Sequence, residues 1–471
     1  MHLKIYSKDW ELNFDLRYSE KEHKSRNLIM SNFTNLTPSA KRLITSMRDL
    51  GYEFTDAVAE IVDNSIQAKA NVIQVNLHFD GIDSYLTVLD NGEGMTLAGI
   101  KEAMRFGSIR DYSNNDLGKF GLGLKTSSLS QCDLLIVSSR SSSGGKEIQS
   151  FSWDIDHINK VDKWEIVPVY ETNLPTHVID HLKSTPGTVV TWKKINRLLN
   201  FQNPSGGRAE NYIKKLVQDL KLSLGATFHR YLSGEKLTKR VMIFVNGEMV
   251  DSWDPFCRNE IHTLELQPFI IPISLNGKQT SLKFRPFILP PHSHFSSQSA
   301  HLRAGGISKW NKQQGFYIYR AGRLLQSGGW CGLRTSDEHS KLARVIVDIP
   351  SGFDDLFKVN VAKMKINFPR EIREEALLKL APTLKSADNA YRGQGNFTLS
   401  STSLYEVELD HLEKVLESSL VNLDARWNLS SGTIMGVLPK LYTHATPNER
   451  RSLLRIFKRL SDSAKVIEVV V

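Results

Sequence analysis

Apolar residues recur along this chain with two different periods. At helical spacing, Leu43, Ile44, Met47 and Leu50 make one stripe, which predicts an amphipathic helix over residues 39–50. Val58, Ile61, Val62 and Ile66 make a second, which predicts a helix over residues 55–68 with Thr55 as its N-cap. Residues 72–79 and 85–89 alternate or stay apolar, as strands of a buried sheet do. Further strands are expected at residues 134–137, 150–155 and 188–192, completing that sheet. Residues 209–224 read as a connecting helix that stops at Gly225. The pattern then turns β-rich over residues 240–350. In RVMIFVNGEMV the pair Asn246-Gly247 divides two apolar runs, a strong hairpin signal, and FYIYRAGRLL repeats the logic with Ala321-Gly322. A further helix opens at Pro369.

The ends of the chain are more polar. Residues 1–38 are weakly periodic and suit a strand or an arm. Residues 386–403 read as a polar linker, and residues 405–420 and 447–460 as amphipathic helices, the second rich in arginine.

Chemistry concentrates between Thr55 and Lys125. Glu60, Asp63 and Asn64 lie within four residues of one another, so a helix presents a carboxylate and a carboxamide to one cavity. A glutamate in a desolvated site accepts a proton from water, and a neutral amide oxygen ligates a hard cation without adding negative charge. The strand run SYLTVLD delivers Asp90 to a turn, Asn91-Gly92-Glu93-Gly94-Met95, whose glycines let a ligand approach the backbone. A carboxylate at the end of an apolar strand is costly unless it meets a donor, so Asp90 is placed to read the edge of a base. The run Gly118-Lys119-Phe120-Gly121-Leu122-Gly123-Leu124-Lys125 precedes the helical pattern LKTSSLS and sets free N–H groups where phosphates would bind. Residues 105–115, polar and rich in Ser, Asn and Asp, form a candidate lid. Two rival nucleotide motifs fail. The glycine spacing is the reverse of a dinucleotide fingerprint, and the adjacent Gly-Lys-Ser/Thr of a P-loop is missing, although Lys125, and less directly Lys119, could meet phosphate as point charges.

Three motifs in this order, an Asn-box, Asp-x-Gly-x-Gly and Gly-x-x-Gly-x-Gly, followed by Gly187-Thr188, resemble the GHKL ATPases: gyrase B, MutL, the Bergerat-type heat-shock chaperone, histidine kinases and MORC proteins. The wording is most similar to MORC and its prokaryotic MutL-like relatives, over roughly residues 40–380. The resemblance implies an α+β protein. A Bergerat-type α/β sandwich ATPase domain (39–225) would be followed by a ribosomal-protein-S5-like transducer domain (226–384), a linker (385–403) and a small helical C-terminal segment (404–471), with residues 1–38 as an arm. It also implies roles. Glu60 would be the general base, Asn64 the Mg²⁺ ligand and Asp63 a residue that orients water. Asp90 would accept the adenine amino group, with Gly92, Gly94 and Met95 around the base and the hydroxyl of Thr188 approaching it. The transducer would insert Lys363, or Lys365 as its substitute, at the γ-phosphate. The expected cofactors are ATP and Mg²⁺.

Composition adds limits. The formal charge of +9 and a pI near 9.2 permit a polyanionic partner without requiring one. Cys132, Cys257 and Cys331 match no Cys-x-x-Cys pattern and suit a reducing cytoplasm. No apolar run is long enough to span a membrane, so a cytoplasmic protein without membrane contact is expected. His292, His294 and His301 lack zinc spacing and fit a mobile surface loop better. By resemblance, the function expected is an ATP-gated homodimeric clamp on double-stranded DNA, in a prokaryotic defence or restriction-modification-like system, with a nuclease or helicase as partner. A chaperone-like ATPase, a histidine kinase and a nucleotide sensor that binds without turnover are the competing expectations. The chaperone's larger middle and dimerisation domains are missing from the pattern, and His2 and His23 sit in no convincing phospho-acceptor helix.

Overall fold

The computed structural model describes residues 36–49, 51–107, 121–235, 240–275, 277–306, 310–350, 352–354, 356–357, 366 and 368–393. All belong to the first of two compact units, Met1–Gly395; the second, Asn396–Val471, lies outside the described residues, as does the expected arm over residues 1–35.

The chain begins with helix α1, Ala40–Arg48, capped by the Ser39 hydroxyl, which accepts from Arg42 N. Helix α2 spans Phe54–Gln67. It starts one residue earlier than its pattern suggested: Glu53 takes the N-cap position without a side-chain hydrogen bond, and Thr55 sits inside the first turn. The burial of Phe54 explains the shift, because its ring packs edge-on to Trp192 and draws the backbone before Thr55 into the helix. Strands β1 (Val72–His78) and β2 (Tyr85–Asp90) form an antiparallel pair, and Asp90 is the last residue of β2. Helices α3 (Leu97–Met104) and α4 (Gly123–Gln131) lead to β3 (Leu134–Arg140), β4 (Gln149–Asp154), α5 (Ile155–Val161), β5 (Val167–Pro168), α6 (Thr176–Ser184) and β6 (Gly187–Lys193).

Helix α7, Gly207–Thr227, runs through Gly225 rather than stopping there. That glycine answers packing, since a Cβ at this position would sit 2.5 Å from Asp251 O. A short helix α8, His229–Leu232, follows, and then the hairpin β7 (Met242–Val245) and β8 (Glu248–Met249). Its turn has Asn246 at φ 47° and Gly247 at φ 80°, the left-handed geometry that an Asn-Gly turn supplies.

The first sheet has the order β5-β4-β3-β6-β2-β1-β7-β8. The β7–β8 hairpin, expected in the second domain, therefore completes the first sheet, with β7 parallel to β1. The Asn246 side chain reinforces this docking: its Oδ1 accepts from Leu77 N at 2.8 Å and its Nδ2 donates to Leu77 O at 3.2 Å. By sheet membership the first lobe thus extends to Met249, past the expected boundary at residue 225. Alternation sorts the sheet's side chains between two cores. Val75, Val88, Val137 and Val190 pack beneath α2, α4 and α7, whereas Leu89, Ile136 and Val189 meet Val178 and Leu182 of α6.

The second lobe is built on β9 (Leu264–Glu265), β10 (Phe269–Leu275), β11 (Lys278–Ile288), β12 (Gly315–Arg320), β13 (Arg323–Ser327) and β14 (Ala343–Ile349). Their order is β10-β11-β14-β12-β13, with β9 on β11. Between β11 and β12 the expected loop contains two short helices, α9 (Gln298–Ala304) and α10 (Trp310–Gln313). His301 stacks on Trp310 with ring centroids 4.7 Å apart, and among the described residues no group of three His, Cys, Asp or Glu could hold a metal. Helix α11, Arg370–Tyr391, starts after Pro369 and continues past residue 386, so the first residues of the expected linker are helical. Among the described residues, no helix is long and apolar enough to cross a membrane.

Candidate active site

Strand register decides where the site lies. Asp90 ends β2, Leu89 pairs with Val189 of β6, and Thr188 of β6 pairs with Ser139 of β3. Three central strands thus bring Asp90, Thr188 and Ser139 to one end of the sheet. Asp90 is buried there, and its Oδ1 accepts from Gly92 N at 2.9 Å and from Thr188 N at 3.2 Å. Its Oδ2 accepts from Ser65 Oγ at 2.9 Å. Burial pushes the Asp90 carboxyl above its usual range, and the Gly92, Ser65 and Thr188 donors, with His181 nearby, pull part of the way back. His181 Nε2 also meets the Asp90 carbonyl oxygen at 2.9 Å.

The glycines around Asp90 are required by contact. A Cβ on Gly92 would lie 2.6 Å from Ala68 O. Gly94 has φ +63°, and its Cβ would fall 2.0 Å from Arg140 O. Met95 is half-buried and donates its N–H to Ser139 Oγ at 2.8 Å. The Thr188 hydroxyl, expected to approach a base, lies 3.0 Å from that same Ser139 Oγ, so its backbone N–H is the group it turns to Asp90.

Helix α2 supplies the other wall. Glu60 and Asp63 are buried, at 5% and 2% exposure, while Asn64 is exposed. Glu60 points at the start of α4: a Cβ on Gly123 would sit 2.8 Å from Glu60 Oε2. Only a glycine lets this carboxylate lie against the first residue of that helix. Gly121 precedes it at φ 62°, Leu122 occupies the N-cap position, and Leu124 packs on the core below. Gly118, Lys119 and Phe120 lie outside the described residues, as do most of the candidate lid, Lys363 and Lys365.

Lys125 behaves differently from a phosphate-binding cation. Its ammonium is buried and donates to Ala103 O at 2.9 Å and to Gly121 O, clipping the end of α3 to the glycine turn. Burial lowers its pKa to about 8, with Glu102 opposing.

Sequence reasoning passed over four contributors. Ser65 lies in the predicted helix but was given no role, Ser139 lies two residues past the expected strand 134–137, and His181 comes from a helix on the opposite face of the sheet. The fourth is Arg323, first residue of β13 in the second lobe. Its Nε lies 2.9 Å from Asp63 Oδ2 and its Nη2 3.6 Å from Glu60 Oε1. One signal did exist: an arginine inside the otherwise apolar alternation that follows Ala321-Gly322.

This arrangement joins a buried acid that can read a base, a helix start that can receive phosphate and a buried carboxylate beside it. Residues 52–188 match the family of histidine kinase-, DNA gyrase B- and HSP90-like ATPases. Over 100 residues the chain is 38% identical to Protein MICRORCHIDIA 1 of Arabidopsis thaliana, a stretch covering 20% of this chain and 16% of that protein. Protein MICRORCHIDIA 2 and Protein MICRORCHIDIA 3 of the same plant are 34% and 33% identical over 100 residues, covering 16% and 17% of their lengths. The chain therefore aligns with about a sixth of each curated relative, and what is alike is the ATPase domain: a GHKL ATPase domain close to that of the MORC proteins.

Proposed function

We propose that this GHKL domain binds ATP with Mg²⁺ and hydrolyses it, with Glu60 as the general base. The observation that carries the reading is the approach of Glu60 Oε2 to the start of α4, close enough that only a glycine fits at position 123, in a fold that also buries Asp90 at a strand end. Asp90, its carboxylate fixed in place by three donors, accepts the adenine amino group. The free N–H groups at the start of α4 face the phosphates, where the helix dipole favours negative charge. Glu60 takes a proton from the attacking water, and Asp63 helps to hold that water in line. The exposed Asn64 fits a Mg²⁺ ligand, because a neutral carboxamide oxygen beside two carboxylates suits a hard cation; bound there, the ion would neutralise phosphate charge. Lys363 or Lys365 would supply a further cation from the second lobe, which we read as a ribosomal-protein-S5-like transducer.

At the level of the whole protein the proposal is an ATP-gated homodimeric clamp on double-stranded DNA. Its support is the net positive charge and the likeness of the ATPase domain to MORC proteins. A defence role with a nuclease or helicase partner belongs to the same proposal. Steady-state ATPase assays of the wild-type chain and Glu60→Ala, with and without duplex DNA across a salt series, test both levels. Turnover lost in Glu60→Ala with ATP still bound supports hydrolysis at this site. Stimulation by DNA that fades as salt rises supports phosphate contact, and turnover indifferent to DNA at every salt removes the clamp while leaving the ATPase.

A further inference from the structure

The β12–β13 hairpin carries an arginine on each side of its turn, and both are buried, at 7% exposure for Arg320 and 5% for Arg323. Arg320 pairs with Asp354, its Nε 2.6 Å from Oδ1 and its Nη2 3.1 Å from Oδ2. Arg323 reaches the first lobe and meets Asp63 and Glu60. The hairpin is seated firmly on α8. Tyr231 donates its hydroxyl to Ala321 O at 2.6 Å, His229 Nε2 meets the Tyr319 hydroxyl at 2.8 Å, and the Arg230 guanidinium lies 3.4 Å from the centre of the Tyr319 ring.

Two buried carboxylates three residues apart on one helix repel each other, and burial penalises the charge on each. A guanidinium between them offsets that repulsion. Arginine suits this position, since its planar fork reaches two acceptors at once. Burial works to lower the pKa of Arg323 itself, but Asp63, Glu60 and Asp56 reverse the sign and hold it raised. Glu60 thus lies between the second lobe and the start of α4, with Oε1 toward Arg323 and Oε2 toward Gly123.

We propose that Arg323 is a positioning residue for ATP hydrolysis: from the second lobe it sets a positive charge against the Glu60 carboxylate and keeps it aimed at the phosphate end of the site. The inference rests on Glu60 being the general base. The seating of the second lobe thereby becomes a condition for activity, independent of any lysine that lobe delivers to phosphate. Tyr52 and Asp56 feel the charges of both Glu60 and Arg323, Asp63 acts on Arg323, and Tyr231 feels both Asp63 and Arg323. Arg323 is a cation of that cluster, and its loss removes a positive charge from beside Glu60.

The test measures kcat and KM for Mg-ATP across pH in the full chain for wild type, Arg323→Gln, Arg323→Lys, Asp63→Asn and Glu60→Gln. Arg323→Gln is expected to lower kcat by at least about tenfold with KM within about threefold of wild type, as for a group acting on the chemical step. Its acid limb moves to higher pH, because Glu60 has lost the charge that favours ionisation. Arg323→Lys recovers the acid limb and part of kcat. Asp63→Asn removes a negative charge from the cluster and moves the limb to lower pH. Wild-type kcat in Arg323→Gln, or a loss with the acid limb unmoved, overturns the proposal. Should Arg323→Gln fail to fold, Asp63→Asn decides, and a wild-type profile there overturns the proposal. Glu60→Gln separates the two levels: full turnover there removes the general-base reading and this inference together, whereas a dead Glu60→Gln beside wild-type Arg323 variants removes this inference alone.

Discussion

Ser65 Oγ donates to Asp90 Oδ2 across 2.9 Å, so the helix that bears the candidate base and the strand end that bears the candidate adenine acceptor are joined by one hydrogen bond inside the site. The bond serves position as much as charge, since it fixes the carboxylate plane while Gly92 and Thr188 hold the other oxygen. Ser65→Ala is expected to weaken ATP binding by about 1 kcal/mol, roughly fivefold, the ordinary net worth of such a bond. Calorimetric titration with a non-hydrolysable ATP analogue measures this, and unchanged affinity would show that Ser65 does not support the acceptor.

Asp90→Asn should cost far more, because the amide must turn a donor toward one of three donors already in place. Affinity for adenine nucleotides falls by at least about a hundredfold while the fold persists, given what an unmatched buried polar contact costs. The raised pKa of Asp90 adds a pH signature. Its ionised form is the one that accepts from adenine, so wild-type affinity should start to fall, on acidification, at a higher pH than for an ordinary carboxylate. Affinity flat through the carboxylate range would contradict the assignment.

Gly123 and Gly94 separate chemistry from folding. Gly123→Ala puts a methyl 2.8 Å from Glu60 Oε2 with no backbone strain, so the carboxylate must swing aside. We expect a stable protein with kcat reduced at least about tenfold, more than KM changes. Gly94→Ala instead drives a methyl to 2.0 Å from Arg140 O at φ +63°. It should destabilise the fold by about 2–4 kcal/mol and lower Tm before any kinetic effect is readable. Equal thermal stability of the two variants would undo this contrast.

Lys125 gives a pH prediction for stability. Its pKa falls from 10.5 to about 8 on burial, so between those values the unfolded chain binds more protons than the folded one. Stability contributed by this group therefore rises with pH through that window, and the penalty is full below about 8. Lys125→Met abolishes the titration. Denaturant melts of wild type and variant between these pH values should show the wild type gaining relative stability as pH rises, and parallel curves would mean that the ammonium is not buried as described.

Much of this was legible along the chain because it is local. The stripe from Val58 to Ile66, the alternation of β1 and the Asn246-Gly247 and Ala321-Gly322 turns depend on neighbours a few residues away, and each element forms within a few residues of where its pattern lies. The element ends were less legible. Glu53 rather than Thr55 caps α2 because Phe54 packs against Trp192, and α7 continues through Gly225 because the backbone at Asp251 passes too close for a side chain.

The sequence by itself determined the order of the nucleotide motifs, the placement of Asp90 at a strand end and the spacing that sets Glu60, Asp63 and Asn64 on one helix, since periodicity and turn chemistry act within a few residues. Only the tertiary structure decided that the β7–β8 hairpin joins the first sheet, that Lys125 clips α3 to the glycine turn and that Arg323 crosses between lobes to Glu60. Those outcomes depend on which surfaces meet, and a buried charge takes its partner from whatever the packing brings within reach.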